Sequence, residues 1–227
     1  MIYRAIVFDF NGVLLWDADL QVKSWQALAR ELRGYDMTEE ELATHMHGRP
    51  NADVLSYLAA RNLAGRELLD LIQRKESLYR QLLLANPGQF VLSPGAQELI
   101  EALVLGSVPH TIATSSETAN LNFFIQHLGL ARWFDVAKIV YDDGSRPGKP
   151  APDVYLAAAE NIHTEPGQCI VVEDAVSGLE SAYAAGIGCI IGLGGPTVRA
   201  RLLACKGVEL VIESLRDFPR ELLLNHG

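Results

Sequence analysis

Thiols are scarce in this chain. Three cysteines stand among 227 residues, Cys169, Cys189 and Cys205, and no CxxC pair occurs. An odd, unpaired set of which two lie in apolar runs argues against a disulfide framework and for reduced thiols in a core. Long apolar runs are missing too. No stretch approaches the roughly 20 residues that a membrane-spanning helix needs. The opening residues, MIYRAIVFD, lack the apolar region of a secretory signal because Asp9 interrupts the run. These absences lead us to expect a cytoplasmic protein. Positive charge is in deficit: 19 Lys and Arg face 28 Asp and Glu, a formal net charge of −9. That balance opposes nucleic-acid phosphates and anionic lipid surfaces, so neither nucleic acid nor membrane is expected as a partner. It does not oppose a small phosphate, because one local site can be positive or carry a metal. His110, His127 and His163 show no metal-ligand spacing. No internal repeat, low-complexity tract or disordered linker is evident.

What remains is an ordinary globular composition, 49% hydrophobic and 21% charged, on a length that suits one large domain or one domain with an insert. The run AIVFDF at 5–10 reads as a buried strand that stops at the turn signal Asn11-Gly12. From Asp17 to about Asn86 the pattern is almost wholly helical. Asp17 is an N-cap candidate and Gly34 a C-terminal stop. Thr38 with Glu41 forms a capping box, Asn51 and Gly65 open two further helices, and Asn86-Pro87-Gly88 closes the block. After it, helices at 95–105, 117–128, 152–161 and 176–185 alternate with strands at 110–114, 136–140, 169–174 and 188–193. A last strand at 208–212 precedes a C-terminal helix. Such alternation, with solid apolar strands, implies an α/β fold: a Rossmann-like, doubly wound, mostly parallel sheet covered on both faces. The expected organisation is a core domain of residues 1–15 and 88–227 with a helical cap domain, 16–87, inserted after the first strand.

In open parallel sheets, ligands bind beyond the carboxyl ends of the strands. That rule selects Asp9 and Asn11 after the first strand, Thr114 and Ser115 after HTIAT, and Glu173 and Asp174 after CIVV. It also selects Lys149 in the Gly-Lys-Pro-Ala-Pro loop. Asp9, Glu173 and Asp174 offer the carboxylate oxygens that Mg²⁺ prefers. Three carboxylates together repel, so a divalent cation or a lysine must offset them, and Lys149 is the fixed cation available. Thr114, Ser115 and the amides opening helix 117–128 can bind phosphate oxygens. An aspartate nucleophile with Mg²⁺ and lysine suits an aspartyl-phosphate route. Taken singly, Thr114-Ser115-Ser116 reads better as a helix N-cap, Lys149 as a solvated lysine, and Glu173-Asp174 equally well as a cap of helix 176–185. Their joint fall at corresponding strand ends favours one site.

Four segments in order, VFDFNGV at 7–13, ATSSETAN at 113–120, GKPAPDVY at 148–155 and VVEDAVSGLESAYAAG at 171–186, resemble the haloacid dehalogenase superfamily. The resemblance spans essentially the whole chain and is nearest to the β-phosphoglucomutase-like phosphatases with a helical cap. It implies a nucleophilic and metal-binding role for Asp9 and phosphoryl binding by Thr114 with the Ser115 amide. It implies charge neutralisation by Lys149, and Mg²⁺ held by Asp174, by the Asn11 carbonyl, and by Glu173 directly or through water. Arg49, in His47-Gly48-Arg49-Pro50, falls where relatives carry a substrate-reading loop.

One departure matters most. The family's phosphatases carry a second aspartate two residues after the first, as general acid and base. Here that residue is Asn11, whose amide does not exchange a proton at neutral pH. Trp16 and Gln21 also stand where relatives often place an acid and a histidine. The leading expectation is a Mg²⁺-dependent phosphatase, a monomer or homodimer, acting on a small phosphorylated metabolite such as a sugar phosphate and weakened by Asn11. The alternative is a catalytically feeble fold that binds a phosphorylated ligand or a protein partner. A phosphomutase is not distinguished by these residues. A carbon–halogen hydrolase gains nothing from the Glu173-Asp174 pair.

Overall fold

The computed structural model describes residues 3–46 and 49–223, in two compact units: Met1–Trp16 with Val91–Gly227, and Asp17–Phe90. His47 and Gly48, part of the stretch read above as substrate-facing, lie outside the described residues.

The first unit is built on a six-stranded sheet. Its strands are β1 (Ala5–Phe8), β2 (His110–Glu117), β3 (Val140–Asp142), β4 (Cys169–Glu173), β5 (Cys189–Leu193) and β6 (Val208–Ile212). All neighbours run parallel, in the order β3-β2-β1-β4-β5-β6. Every residue of β1, β4 and β5 is buried, as expected of strands covered on both faces. The order reverses between β1 and β4, which makes their carboxyl ends the topological switch point where such sheets open a crevice. Crossover and flanking helices come from Ala96–Leu105, Thr118–Leu128, Asp153–Asn161, Val176–Ala184 and Pro196–Leu203.

The second unit is helical: α1 (Ala18–Arg33), α2 (Glu39–Glu41) continuing into a π-turn at Leu42–Met46, α3 (Asn51–Leu58) and α4 (Gly65–Ala85). The helices of the first unit then follow as α5 (Ala96–Leu105), α6 (Thr118–Leu128), α7 (Asp153–Asn161), α8 (Val176–Ala184) and α9 (Pro196–Leu203). Trp25, Leu28, Leu42, Val54, Leu55 and Leu58 form the core of the second unit. Gly34 ends α1 at φ +86°, in the left-handed region, and its amide donates to Arg30 O. The Thr38–Glu41 capping box is present.

Several expectations are corrected. Asp17 precedes α1 but makes no capping bond; its carboxylate accepts instead from the Tyr79 hydroxyl and from Gln21. β2 runs on to Glu117, so Thr114, Ser115 and Ser116 lie in extended chain and α6 begins only at Thr118. The strand expected at 136–140 starts at Val140. Asp135 accepts the Ala137 amide and folds Val136–Lys138 into a 3-10 turn first. Among the described residues, two 3-10 turns, Leu215–Asp217 and Arg220–Leu222, stand where a C-terminal helix was expected. Pro219, between them, lacks the amide a continuous helix would use. Helix α9 was not anticipated at all.

Candidate active site

The parallel ladder places the first group. Beyond Phe8, the Asp9 amide donates to Val172 O at 3.0 Å, which draws Asp9 along the side of β4. Its side chain is buried. The turn behind it, Asn11-Gly12, is closed by the Gly12 amide donating to Leu15 O at 2.7 Å. Gly12 has φ +84°, and a Cβ there would meet Asp174 Oδ2 at 2.1 Å. Glycine is therefore demanded twice, by conformation and by the carboxylate that occupies the space.

Lys149 enters from the loop before α7. The Ser181 hydroxyl of α8 donates to Ala151 O at 2.6 Å and ties that loop down. The Lys149 ammonium donates to Asp9 Oδ1 at 2.6 Å, to Glu173 Oε2 at 2.7 Å and to Ala113 O at 3.4 Å. Burial disfavours the charged lysine, but Asp9 and then Glu173 outweigh it and raise its pKa well above the ordinary value.

Glu173 ends β4 and is wholly buried. Burial alone would raise its pKa; Lys149, and hydrogen bonds from Lys149, Tyr155 and the Ala175 amide, reverse this and lower it. Oε2 accepts from Lys149 and from the Tyr155 hydroxyl at 2.6 Å. Oε1 accepts the Asp174 and Ala175 amides, both at 3.1 Å. The carboxylate rests where Gly178 of α8 has no side chain: a Cβ there would lie 1.8 Å from Oε2. Helix α8 begins after Ala175 without a side-chain cap, so Glu173-Asp174 is not its cap. Asp174 differs from its neighbour. Burial, then the charges of Glu173 and Asp9, push its pKa well up. Ligand atoms of Asp9, Glu173 and Asp174 lie within 4.8 Å of one another. Among the described residues this is the one group of three or more acids, histidines or cysteines so close together.

On β2, Thr114 is buried and its hydroxyl oxygen accepts the Ser116 amide at 3.1 Å, while Ser115 is exposed. The Ser116 hydroxyl donates to Asn11 Oδ1 at 2.8 Å and joins β2 to the turn after β1. The expected residues Asp9, Lys149, Glu173 and Asp174 are thus brought into one cluster, with Asn11 in the turn after β1 and Thr114 within the neighbouring strand β2. Arg49 belongs to the other unit, where its side chain is exposed.

Three groups escaped the reading of the chain. Tyr155 lies within GKPAPDVY, yet its role shows only once its hydroxyl is seen on Glu173. Its position on the buried face of α7, with Val154, Ala158 and Ala159, was the available signal, since a buried tyrosine hydroxyl needs a partner. Gly178 could be suspected only from knowing what lies above it. In the second unit, Lys75 and Glu76 are buried side by side on α4, 3.0 Å apart. Lys75 also donates to Gln21 Oε1 at 2.7 Å and stands 5.0 Å from the Trp25 ring centroid. Asn51 donates to Glu76 at 2.9 Å. Tyr79, one turn beyond Lys75, has its pKa raised well up, by burial first and then by Asp17.

Comparison with known proteins follows this architecture. Residues 3–186 match the haloacid dehalogenase-like hydrolase family. The chain belongs to that family. It is 35% identical to protein CbbY of Cupriavidus necator, over 98% of this chain and 89% of the relative. It is 28% identical to the fructose-1-phosphate phosphatase YqaB of Escherichia coli, over 83% of this chain and 95% of the relative. A solved family IA, variant 3 hydrolase from Entamoeba histolytica superposes with a TM-score of 0.90 at 36% identity, covering 96% of each chain. Among the described residues, no helix is long and apolar enough to cross a membrane.

Proposed function

We propose that this hydrolase is a Mg²⁺-dependent phosphatase of small phosphorylated metabolites, with sugar phosphates the leading class, and that Asn11 slows it. The observation that carries the reading is the Lys149 ammonium held between Asp9 at 2.6 Å and Glu173 at 2.7 Å, with Asp174 close by. One cation faces three carboxylates, and burial, then the charges of Glu173 and Asp9, drive Asp174 towards its neutral form. A divalent cation relieves this imbalance, and the donor set is all oxygen, so the residues fit Mg²⁺. Asp9, Asp174 and the Asn11 carbonyl would hold it, with Glu173, which accepts from Lys149, Tyr155 and two amides, standing behind them. When bound, Mg²⁺ supplies neutralising charge to a transferring phosphoryl group.

Asp9 is the nucleophile in this reading. One carboxylate oxygen forms a bond to phosphorus as the ester P–O bond breaks, and water later hydrolyses the aspartyl-phosphate. Lys149 orients Asp9 and offsets the charge that develops on the phosphoryl oxygens. Thr114 and the Ser115 amide receive those oxygens. Arg49 and the helical unit, 16–87, serve as substrate reader and cap, and closure of such a unit excludes water from the reacting phosphate. The phosphatase named among the relatives supports the substrate class.

Asn11 supports a second reading, a feeble enzyme that mainly binds a phosphorylated ligand. Its amide oxygen already accepts from Ser116, and an amide has no proton to exchange with a leaving alkoxide. A screen of metabolite phosphates with and without Mg²⁺, on the parent and on Asn11→Asp, separates the two. The phosphatase reading expects Asn11→Asp to raise Mg²⁺-dependent turnover by at least about tenfold, most for alkyl phosphates and least for p-nitrophenyl phosphate. If neither form cleaves any ester while Mg²⁺ still binds by calorimetry, the binding reading replaces it.

A further inference from the structure

We infer that Tyr155 is a positioning residue of this site: its hydroxyl fixes Glu173, and through Glu173 it holds Lys149 on Asp9. The inference rests on the phosphatase reading for its kinetic consequence, but its geometry stands apart from that reading. A carboxylate has about four acceptor positions, two on each oxygen. In Glu173 all four are taken by protein donors: Lys149 and Tyr155 on Oε2, and the Asp174 and Ala175 amides on Oε1. The two amides come from the chain itself and are rigid. The two on Oε2 are side chains, and they share one oxygen.

Tyr155 is the fixed member of that pair. It is fully buried in the first turn of α7, just beyond the Lys149 loop, and its ring centroid lies 4.9 Å from the Lys149 Nζ. Lysine is a flexible stem with a compact charge that takes whatever acceptor direction is offered. The tyrosine ring is rigid, and its hydroxyl sets where Glu173 Oε2 stands. Lys149 must then meet Oε2 from the remaining side, which is the side facing Asp9. Gly178 leaves the space for this carboxylate but provides no donor to orient it. With the hydroxyl gone, Oε2 keeps one donor. Glu173 and Lys149 can then turn together, and the ammonium loses its fixed place beside the Asp9 oxygen that it contacts at 2.6 Å.

The test is Tyr155→Phe, which keeps the ring and removes one oxygen. Two measurements are made on the full chain: kcat and KM for p-nitrophenyl phosphate with Mg²⁺, and the ¹H–¹⁵N signal of the Lys149 ammonium, assigned by its loss in Lys149→Arg. A buried ammonium with three acceptors exchanges slowly enough to be seen. We expect kcat to fall about 5- to 30-fold, less than the full worth of one hydrogen bond to a charged group because Glu173 keeps its other donors. KM should stay within about twofold, and the ammonium signal should broaden or vanish. A Lys149 signal unchanged in Tyr155→Phe overturns the proposal. So does a lost signal with unchanged kcat where the ester is turned over, because the place of the ammonium beside Asp9 would then not matter to the reaction. Should Tyr155→Phe fail to fold, the parent decides: a Lys149 ammonium that exchanges as fast as an exposed lysine overturns the proposal, and a protected one upholds it. If no ester is turned over by either protein, the phosphatase reading fails, while the ammonium signal still decides the positioning.

Discussion

Lys149 in the first unit and Lys75 in the second are both buried beside carboxylates and a tyrosine, yet they are held in opposite ways. Lys149 bridges groups that follow β1 and β4, with Tyr155 from α7, so its partners come from three separate segments. Lys75 pairs with its own neighbour in sequence, Glu76, and with Gln21 of α1. Amides soften the second cluster: Gln21 reaches Asp17, and Asn51 reaches Glu76. In the first cluster Lys149 bridges Asp9 and Glu173 directly, and burial, then the charges of Glu173 and Asp9, push the Asp174 pKa up. The second cluster spreads its charge over amide hydrogen bonds within the helices, whereas the first gathers three carboxylates at strand ends around one lysine.

Breaking each lysine tests this contrast. Lys149→Met should lower phosphatase turnover by about 10²- to 10³-fold, the scale of removing one donor aimed at developing charge. Steady-state kinetics with Mg²⁺ present would measure it, and turnover within about threefold of the parent would remove Lys149 from the chemistry. Lys75→Met should act on stability instead. Removing one partner of a buried ion pair costs about 3–5 kcal/mol, to be read from urea unfolding of the full chain. Mg²⁺ affinity, by calorimetry, should stay within about twofold. A change confined to Mg²⁺ binding would mean that the two clusters are not independent.

The smallest expected effect sharpens the comparison from a different side. All three cysteines lie in the first unit, so thiol chemistry reports on it alone. Burial pushes the Cys169 thiol up to about 11 and the Cys189 thiol up to about 12. The folded state therefore keeps two protons that the unfolded chain releases near pH 9. The stability this contributes is complete below about pH 9 and is lost as pH rises through 11 and 12, at up to about 1.4 kcal/mol per pH unit for each thiol. At pH 8 a disulfide reagent should modify Cys205, the partly exposed thiol, well before Cys169 or Cys189. Equal rates for all three would show that the first unit opens as readily as its surface.

Most of the sheet was legible because its strands are solid apolar runs bounded by turn signals. The acids were legible because a carboxylate at the end of such a run stands out. The failures have local causes. Val136–Val140 has strand-like residues, but Asp135 caps a tight turn that takes the first three of them. Helix α9, PTVRARLL, buries only Leu202, so its periodicity is faint; Pro196 at its first turn was the signal available. Lys75 and Glu76 look like surface charge by type. Only their place on the face that carries Tyr79 and Leu83 betrays them. Which oxygen of Glu173 each donor reaches, the basis of the Tyr155 assignment, depends on a side chain from one helix, another from a loop and the two amides that follow β4. No pattern along the chain encodes it.

The junction of the two units carries a further consequence. Just before the chain leaves the first unit, and just after it returns, Leu15 and Leu92 pair as an antiparallel bridge. Ser93 fastens the same place twice, its amide to Leu14 O at 2.8 Å and its hydroxyl to Val13 O at 2.6 Å. The ends of the excursion are therefore sewn together by bonds belonging wholly to the first unit. Paired residues of this kind sit about 5 Å apart, a gap that a tight turn of two to four residues closes. The sheet with its strand-end acids thus asks nothing of the length or content of the 74 residues between them, Asp17–Phe90. The seam is a splice point: the helical insert could be exchanged, enlarged or pruned there without redrawing the fold that holds the aspartate.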